Sequence, residues 1–459
     1  KSIEILDRIR YRENEVFDVL VDLAKNQENS TRTQALKVLE NVSKYNLHIL
    51  RQIGYGVQIF ILERLENWDT NKLDQNKDIV ILTCKELLDP SFEGTSMQDY
   101  RTMTFHSGAL NPTPHLIDIR KRSMEVLKKL NYKTQDLVIR KKILITMQEI
   151  TQTPHTANYG DDMEQMVVSD TNDLIEYYLS ILSSSDNDLV KDIDEQTHWF
   201  SRRFGLKKLP RLNELKSTIA SKTEYDMFKV FVGYDGRFDD DMDWDKAKNI
   251  RQEKIQEFIA DITESNLPDW ETKISAVIKN YSLSEPGEFQ YFNIFLFEFA
   301  KQKPKLALSL ISKPELEPFL IHLIAGAWGS PLQGKAKNII IQWTKTGQHL
   351  SISARLFDYV ESIDEQLLNK IFKKAKSNKD VQALNNVIAS IVRNYPQNKN
   401  LKTLFIKTII ELTKNNNYWW INNVWYRGET ILRYFSEYDF DSILKNLLML
   451  PNIEYHAEE

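Results

Sequence analysis

The chain has 459 residues, a formal net charge of −5, 42% hydrophobic and 27% charged residues, a globular balance that fits roughly three domains or one extended repeat array and does not favour disorder. Its fourteen glycines and thirteen prolines fall below the usual shares of ~7% and ~5%, which favours helices joined by short polar turns over glycine-dependent sheets and phosphate loops. The acidic balance lacks the basic excess that phosphate neutralisation demands of most nucleic-acid binders.

The lone Cys84 excludes an internal disulfide and fits a reducing cytosol. No apolar run reaches the ~18 residues that span a bilayer; the richest, FNIFLFEFA (292–300), is short and carries Asn293 and Glu298. A cytoplasmic location with no membrane partner is the expectation. The text opens on Lys1, as if mid-helix, and predicts a piece of a longer polypeptide whose further domains are its first partners.

In chain order, the first half predicts helices over 14–26, 30–46, 47–66, 77–89, 115–130, 135–150, 170–183 and 187–204. Two stretches break the rhythm. TSMQDYRTMTFHSGALNPTP (95–114) is a long, proline-bearing loop, extended in part, and TPHTANYGDDMEQ (153–165) reads as an exposed loop. Residues 1–204 therefore form an N-terminal helical region. A boundary is expected at 205–222, where SRRFGLKKLPRLNELK interrupts the pattern. Arg202, Arg203, Lys207, Lys208 and Arg211 crowd there, either as a solvated basic linker or as a contact for an acidic protein surface or phosphates. Ser221 with Glu224 predicts a capping box for a helix through Phe228.

GYDGRFDDDMDWD (233–245) places Asp239, Asp240 and Asp243 in the spacing DDxxD. In helical prenyl and terpene synthases such carboxylates hold magnesium against a diphosphate. That chemistry needs a second metal motif on a facing helix, and none is present; an EF-hand is excluded by the missing loop glycine and closing glutamate. The expectation is a helix-capping loop, with Asp243 or Asp245 bonding the free amides of the helix that follows. A metal-dependent prenyl or terpene enzyme and a helical-repeat nucleic-acid binder stay open as alternatives.

From 223 to 459 the apolar positions recur as helical stripes. These are Trp270, Ile274, Val277, Ile278 and Tyr281; Phe289, Phe292, Leu296 and Phe299; Leu316, Phe319, Leu320, Leu323 and Ile324; Ile339, Ile340 and Trp343; Leu367, Leu368, Ile371 and Phe372; Leu384, Val387, Ile388 and Ile391; and Leu404, Phe405, Thr408 and Leu412. SKPE, SNKD and YPQN separate them as turns. Helix pairs repeat every ~30–38 residues, the range of helical-hairpin solenoids, and no tetratricopeptide signature is present. The predicted fold is an all-α solenoid of degenerate HEAT-like hairpins, each needing its neighbours to bury its apolar face.

GSPLQGKA (329–336) has phosphate-loop spacing but ends in Ala336 where Ser or Thr should hold magnesium, and a helical pattern precedes it where a strand should. The histidines at 48, 106, 115, 155, 198, 322, 349 and 456 form no HExxH or zinc cluster; His322 reads as a packed or boundary residue. No catalytic residues and no cofactor are assigned. NYWWINNVWYRGETILRYFSEY (417–438) reads as one helix, with Ile421, Val424, Trp425, Gly428, Leu432 and Phe435 as its core stripe. Trp419, Tyr426, Arg433 and Tyr434 then share the opposite face, with Trp420 at its margin. Trp, Tyr and Arg are hot-spot residues, so this face either docks a protein partner or packs on a neighbouring repeat.

FHSGAL (105–110), LIDIRKRSMEVL (116–127) and the tryptophan-led, aromatic and lysine-proline sequence from Trp270 to Trp343 resemble the helical sensor regions of bacterial STAND NTPases, the Avs-type antiviral proteins. The resemblance implies a segment that binds a phage protein and relays the event to an NTPase core and an effector. It carries over no individual site residue.

Overall fold

The computed structural model describes residues 2–9, 11, 15–26, 28–97, 103–154, 159–238, 243–421 and 431–448. The fold is all-α and helical-repeat in character, with one β-hairpin among the described residues. The chain divides into two compact units, Lys1–Lys229 with Gly233–Lys248, and Val230–Val232 with Asn249–Glu459.

The first unit is built from α1 (Ser2–Ile9), α2 (Glu15–Leu23), α3 (Asn29–Ser43), α4 (Leu47–Ile53), α5 (Gly56–Glu66), α6 (Thr70–Gln75), α7 (Lys77–Leu88), α8 (Pro114–Lys133), α9 (Leu137–Gln148), α10 (Asp161–Ile181), α11 (Asn187–Phe204), α12 (Leu212–Ala220) and most of α13 (Thr223–Phe231). The helix expected over 47–66 is two helices. Gly54 takes φ +59°, a left-handed conformation that breaks the first and lets α5 start afresh.

The exposed loop expected at 153–165 is corrected at its end. α10 begins at Asp161, because Asp161, Asp162 and Glu164 fill its first turn and their charges favour the positive end of the helix. The stretch 205–222 contains α12 and lies inside the first unit. Ser221 closes α12, its hydroxyl donating to the Thr218 carbonyl at 2.7 Å, and α13 starts at Thr223.

The 95–114 stretch is partly extended, as read. β1 (Ser91–Met97) pairs antiparallel with β2 (Met103–Ala109), Thr95 facing Phe105 and Gly94 facing His106. The outer edge of β1 is tied to the unit: the Glu93 amide donates to the Tyr45 carbonyl at 2.9 Å. At Gly108 a Cβ would meet the tip of the half-buried Phe92 ring at 2.7 Å, so a side chain there would have to push that ring aside.

The second unit continues with α14 (Trp244–Asp261, which begins in the first unit), α15 (Leu267–Ile278), α16 (Gln290–Gln302), α17 (Pro304–Ser309), α18 (Leu320–Trp328), α19 (Gln333–Thr346), α20 (Leu350–Arg355), α21 (Glu365–Asn378), α22 (Val381–Asn394) and α23 (Lys402–Lys414). The predicted stripes form its core, with only Tyr281, Ile339 and Trp343 half-buried. Sequence neighbours pack as hairpins, and every second helix also meets: α16 with α18, α18 with α20, α20 with α22 in one layer, α19 with α21 and α21 with α23 in another. This is the two-layer stacking of helical-hairpin repeats.

The joint between α20 and α22 is polar. Asn386, Ser390 and Asn394, one turn apart on α22, donate to the carbonyls of Ser351 (3.0 Å), Ala354 (2.7 Å) and Phe357 (2.9 Å). Their spacing of four marks a buried stripe that hydropathy alone reads as surface.

Candidate functional site

The layer α16–α18–α20–α22 turns its unburied faces to one side, where they line a groove of about 1040 Å³. α16 brings Gln290, Asn293, Ile294, Phe297 and Glu298; α18 brings Ile321 and His322; α20 and the turn after it bring Ser351, Ile352, Arg355, Asp358 and Tyr359; α22 brings Gln382, Asn386, Ala389 and Arg393. Most are polar residues on the side of a helix whose other side is core, so 3.6-residue periodicity assigns these to surface; Ile294, Phe297, Ile321 and Ile352 are the apolar part of the lining. Only the every-second-helix stacking makes them neighbours.

The groove is half polar in a specific way. Arg355 and Arg393 are exposed, and neither has a carboxylate at ion-pair distance among the described residues. Arg355 lies over the Tyr359 ring, 5.6 Å from its centroid, and Tyr359 meets His322 edge-on at 5.3 Å. Burial, with Arg355 adding repulsion, pushes the His322 imidazolium down to about 4, so the ring is neutral at pH 7. The Asn293 side-chain oxygen is shut off from solvent and receives no hydrogen bond, leaving an acceptor whose desolvation goes uncompensated.

His322 has a measurable consequence. The unfolded chain takes up a proton near pH 6.5, and the folded one only near pH 4. Stability should therefore fall as pH drops through that window and level off below it, by at most about 3 kcal/mol before screening at the groove mouth. Denaturant midpoints at pH 7 and pH 5 test this: His322→Gln should flatten the difference, and an equal slope in the variant would refute it.

The residues singled out from sequence fare differently. In the aspartate stretch, Asp239 and Asp240 lie outside the described residues. Asp243 accepts the Lys246 amide at 3.0 Å, capping α14 as expected. The buried charge of that stretch is Arg237, which donates to the Tyr225 hydroxyl at 2.8 Å; Tyr225 in turn donates to Asp194 at 2.8 Å. Gly233 leaves the space its guanidinium needs, since a Cβ would sit 2.3 Å from Nη2. Among the described residues no three His, Cys, Asp or Glu side chains converge as a metal-ligand set. GSPLQGKA joins α18 to α19, and no strand precedes it.

The basic stretch meets the chain's own groups. Arg203 donates to the Gln152 and Thr153 side chains, Lys208 pairs with Glu164 of α10, and Arg211 pairs with Glu214 and with Glu176 of α10. Arg202 lies 5.5 Å from the Trp199 ring centroid, while Lys207 is exposed. Acids three helical turns apart on α10, invisible as partners in sequence, account for most of this charge.

The expected single helix 417–438 is corrected. Ile431–Tyr434 is a 3-10 turn, and a new helix runs Glu437–Leu448. The reason is a capping box: the Asp439 carboxylate accepts from the Ser436 amide (2.8 Å) and the Asp439 amide donates to the Ser436 hydroxyl (3.4 Å). Trp419 is 62% exposed and Trp420 half-buried. Arg433 is exposed, and Tyr434 packs on Tyr395 with the Lys399 ammonium 3.3 Å from its ring centroid. Tyr426, Val424, Trp425 and Gly428 lie outside the described residues. Among the described anchors, Trp420 is helical and Arg433 and Tyr434 stand in the 3-10 turn.

No family model matches the chain, and no curated protein matches it. Among solved structures, an engineered protein from the Northeast Structural Genomics Consortium aligns over 97% of this chain and 93% of its own, at 12% identity and a TM-score of 0.25. No helix among the described residues is long and apolar enough to cross a membrane.

Proposed function

We propose that this chain is a non-catalytic helical-repeat recognition region that binds a protein ligand through the groove of its second unit. The observation that carries the reading is the groove itself, where four same-layer helices set two arginines, unpaired among the described residues, beside an aromatic and amide-lined wall. Arginine and tyrosine on a rigid, pre-formed scaffold bind at low entropic cost, and fork-shaped guanidinium groups give directional contacts. The resemblance to STAND NTPase sensor regions extends the proposal: a cytoplasmic ligand-sensing part of a larger bacterial anti-phage protein, with a ligand of phage origin and an NTPase core on the same polypeptide.

The test uses the chain as bait and compares three forms: wild type, Arg355→Glu/Arg393→Glu, and Trp419→Ala/Arg433→Ala. A partner held by the wild type should bind the double-glutamate form at least about tenfold more weakly, a loss of about 1.4 kcal/mol or more. It should bind the third form normally. A partner that ignores the groove substitutions and leaves when Trp419 and Arg433 change would move the site to the C-terminal segments. No specific partner at all would sink the recognition reading.

A further inference from the structure

We propose that the groove of the second unit holds an extended, acidic protein segment, with the exposed amides of Gln290 and Gln382 reading its peptide groups and Arg355 and Arg393 its carboxylates. This rests on the recognition reading above and names the chemistry of the ligand.

The extended form follows from what the wall offers. Gln290 and Gln382 are exposed, and each presents one donor group and one acceptor, the same pair that a peptide bond presents, while Asn386 offers only its oxygen because its amide nitrogen donates to Ser351. A helical ligand satisfies its own backbone internally and leaves such a row nothing to bond; an extended segment leaves its N–H and C=O groups free. The amides stand on α16 and α22, at the two ends of the groove. Length agrees: three helix-to-helix steps of roughly 8–10 Å are covered by about eight extended residues at ~3.3 Å each.

The acidic character and its polarity come from the charges. Arg355 and Arg393 lie on the α20–α22 half and carry no ion pair among the described residues. Glu298 stands on α16, and Asp358 is largely buried in the wall. The ligand's carboxylates therefore belong over α20 and α22, and an uncharged or basic residue over α16. A nucleic-acid strand fits less well, because its phosphates are evenly spaced and would meet Glu298 as well as the arginines.

The probes are fluorescein-labelled decapeptides of Ser, Thr and Leu with two glutamates in one half, made in both chain directions, and read by anisotropy against the full chain. Glutamate peptides of one direction should bind. Replacing Glu by Gln, or using the Arg355→Glu/Arg393→Glu form, should weaken binding at least about tenfold, which is about 1.4 kcal/mol. Methylating the peptide nitrogens, or Gln290→Ala with Gln382→Ala, should weaken it severalfold, with unchanged thermal melts confirming the fold. Equal binding of the Gln peptides, no binding of any glutamate peptide up to about 1 mM, or preferential binding of a ten-nucleotide oligothymidylate would each overturn the proposal. If the peptides fail while a purified protein partner still depends on Arg355 and Arg393, the recognition reading stands and only the extended-segment chemistry falls. A partner indifferent to both arginines removes both.

Discussion

Gly326→Val is expected to destabilise the second unit by about 3 kcal/mol or more and to abolish ligand capture by the groove. Gly326 sits in α18 where the helix crosses α16, and a Cβ there would lie 2.1 Å from the Phe297 carbonyl oxygen and 2.8 Å from the Ala300 Cβ. The obstacle is backbone, which cannot swing aside as a long side chain can, so the helices must separate. Separation empties the contact around Phe292, Phe295 and Phe299, all fully buried, and adds a cavity term to the overpacking. Alanine sharpens the test. Helix propensity alone would make Gly326→Ala stabilising by ~1 kcal/mol, so a lowered urea midpoint can only reflect the clash. α16 and α18 are also two of the four walls of the groove, so spreading them should cost binding together with stability. A raised midpoint for the alanine variant would mean the two helices are not in backbone contact.

Asp170→Ala is expected to cost about 3–5 kcal/mol in the first unit, a large fraction of the stability of an ordinary domain. Arg120 of α8 and Asp170 of α10 pair at 2.9 Å, at 0% and 1% exposure. The same guanidinium also donates to the carbonyls of Leu88, at the end of α7, and Ile150. One side chain thus satisfies backbone groups at the ends of two other elements. Removing the carboxylate leaves a guanidinium that cannot shed its proton.

The converse variant, Arg120→Met, leaves a carboxyl that can take one up. Burial already pushes Asp170 upward against the pull of Arg120; without the arginine its folded pKa rises further above the unfolded value. The group then binds a proton in the folded state, so the penalty of Arg120→Met should shrink as pH falls and grow as pH rises through that raised value. Asp170→Ala should show no such relief. Guanidinium unfolding at pH 5 and pH 8 separates the two, and identical pH trends would mean the pair is not buried as described. Arg120→Met with Asp170→Leu should cost less than the two single changes together.

The repeat core was readable because burial in a stacked helix is written locally. Stripes such as Leu384, Val387, Ile388 and Ile391 recur at helical spacing, and a helix has one way to bury such a stripe. Asp243 was readable for the same reason, since a cap acts within one turn. The end of the helix expected over 417–438 differs although its signal is local: Ser436 and Asp439 form an S-x-x-D box straddling position 438, directly after Phe435, the last residue of the core stripe. Apolar spacing does not mark where one helix ends and the next begins; the capping box does.

By itself, then, the sequence determined the helices, their core faces and the absence of long apolar spans, all properties of neighbours along the chain. Tertiary structure alone decided which polar faces meet. Glu164 and Glu176 neutralise Lys208 and Arg211 across 44 and 35 residues, Arg120 finds Asp170 across 50, and Arg355 and Arg393 come to one groove with Asn293. The physical reason is that an exposed polar side chain carries no periodic demand of its own. It acquires partners only when the buried faces have stacked, and stacking is a choice among distant helices that no local pattern states.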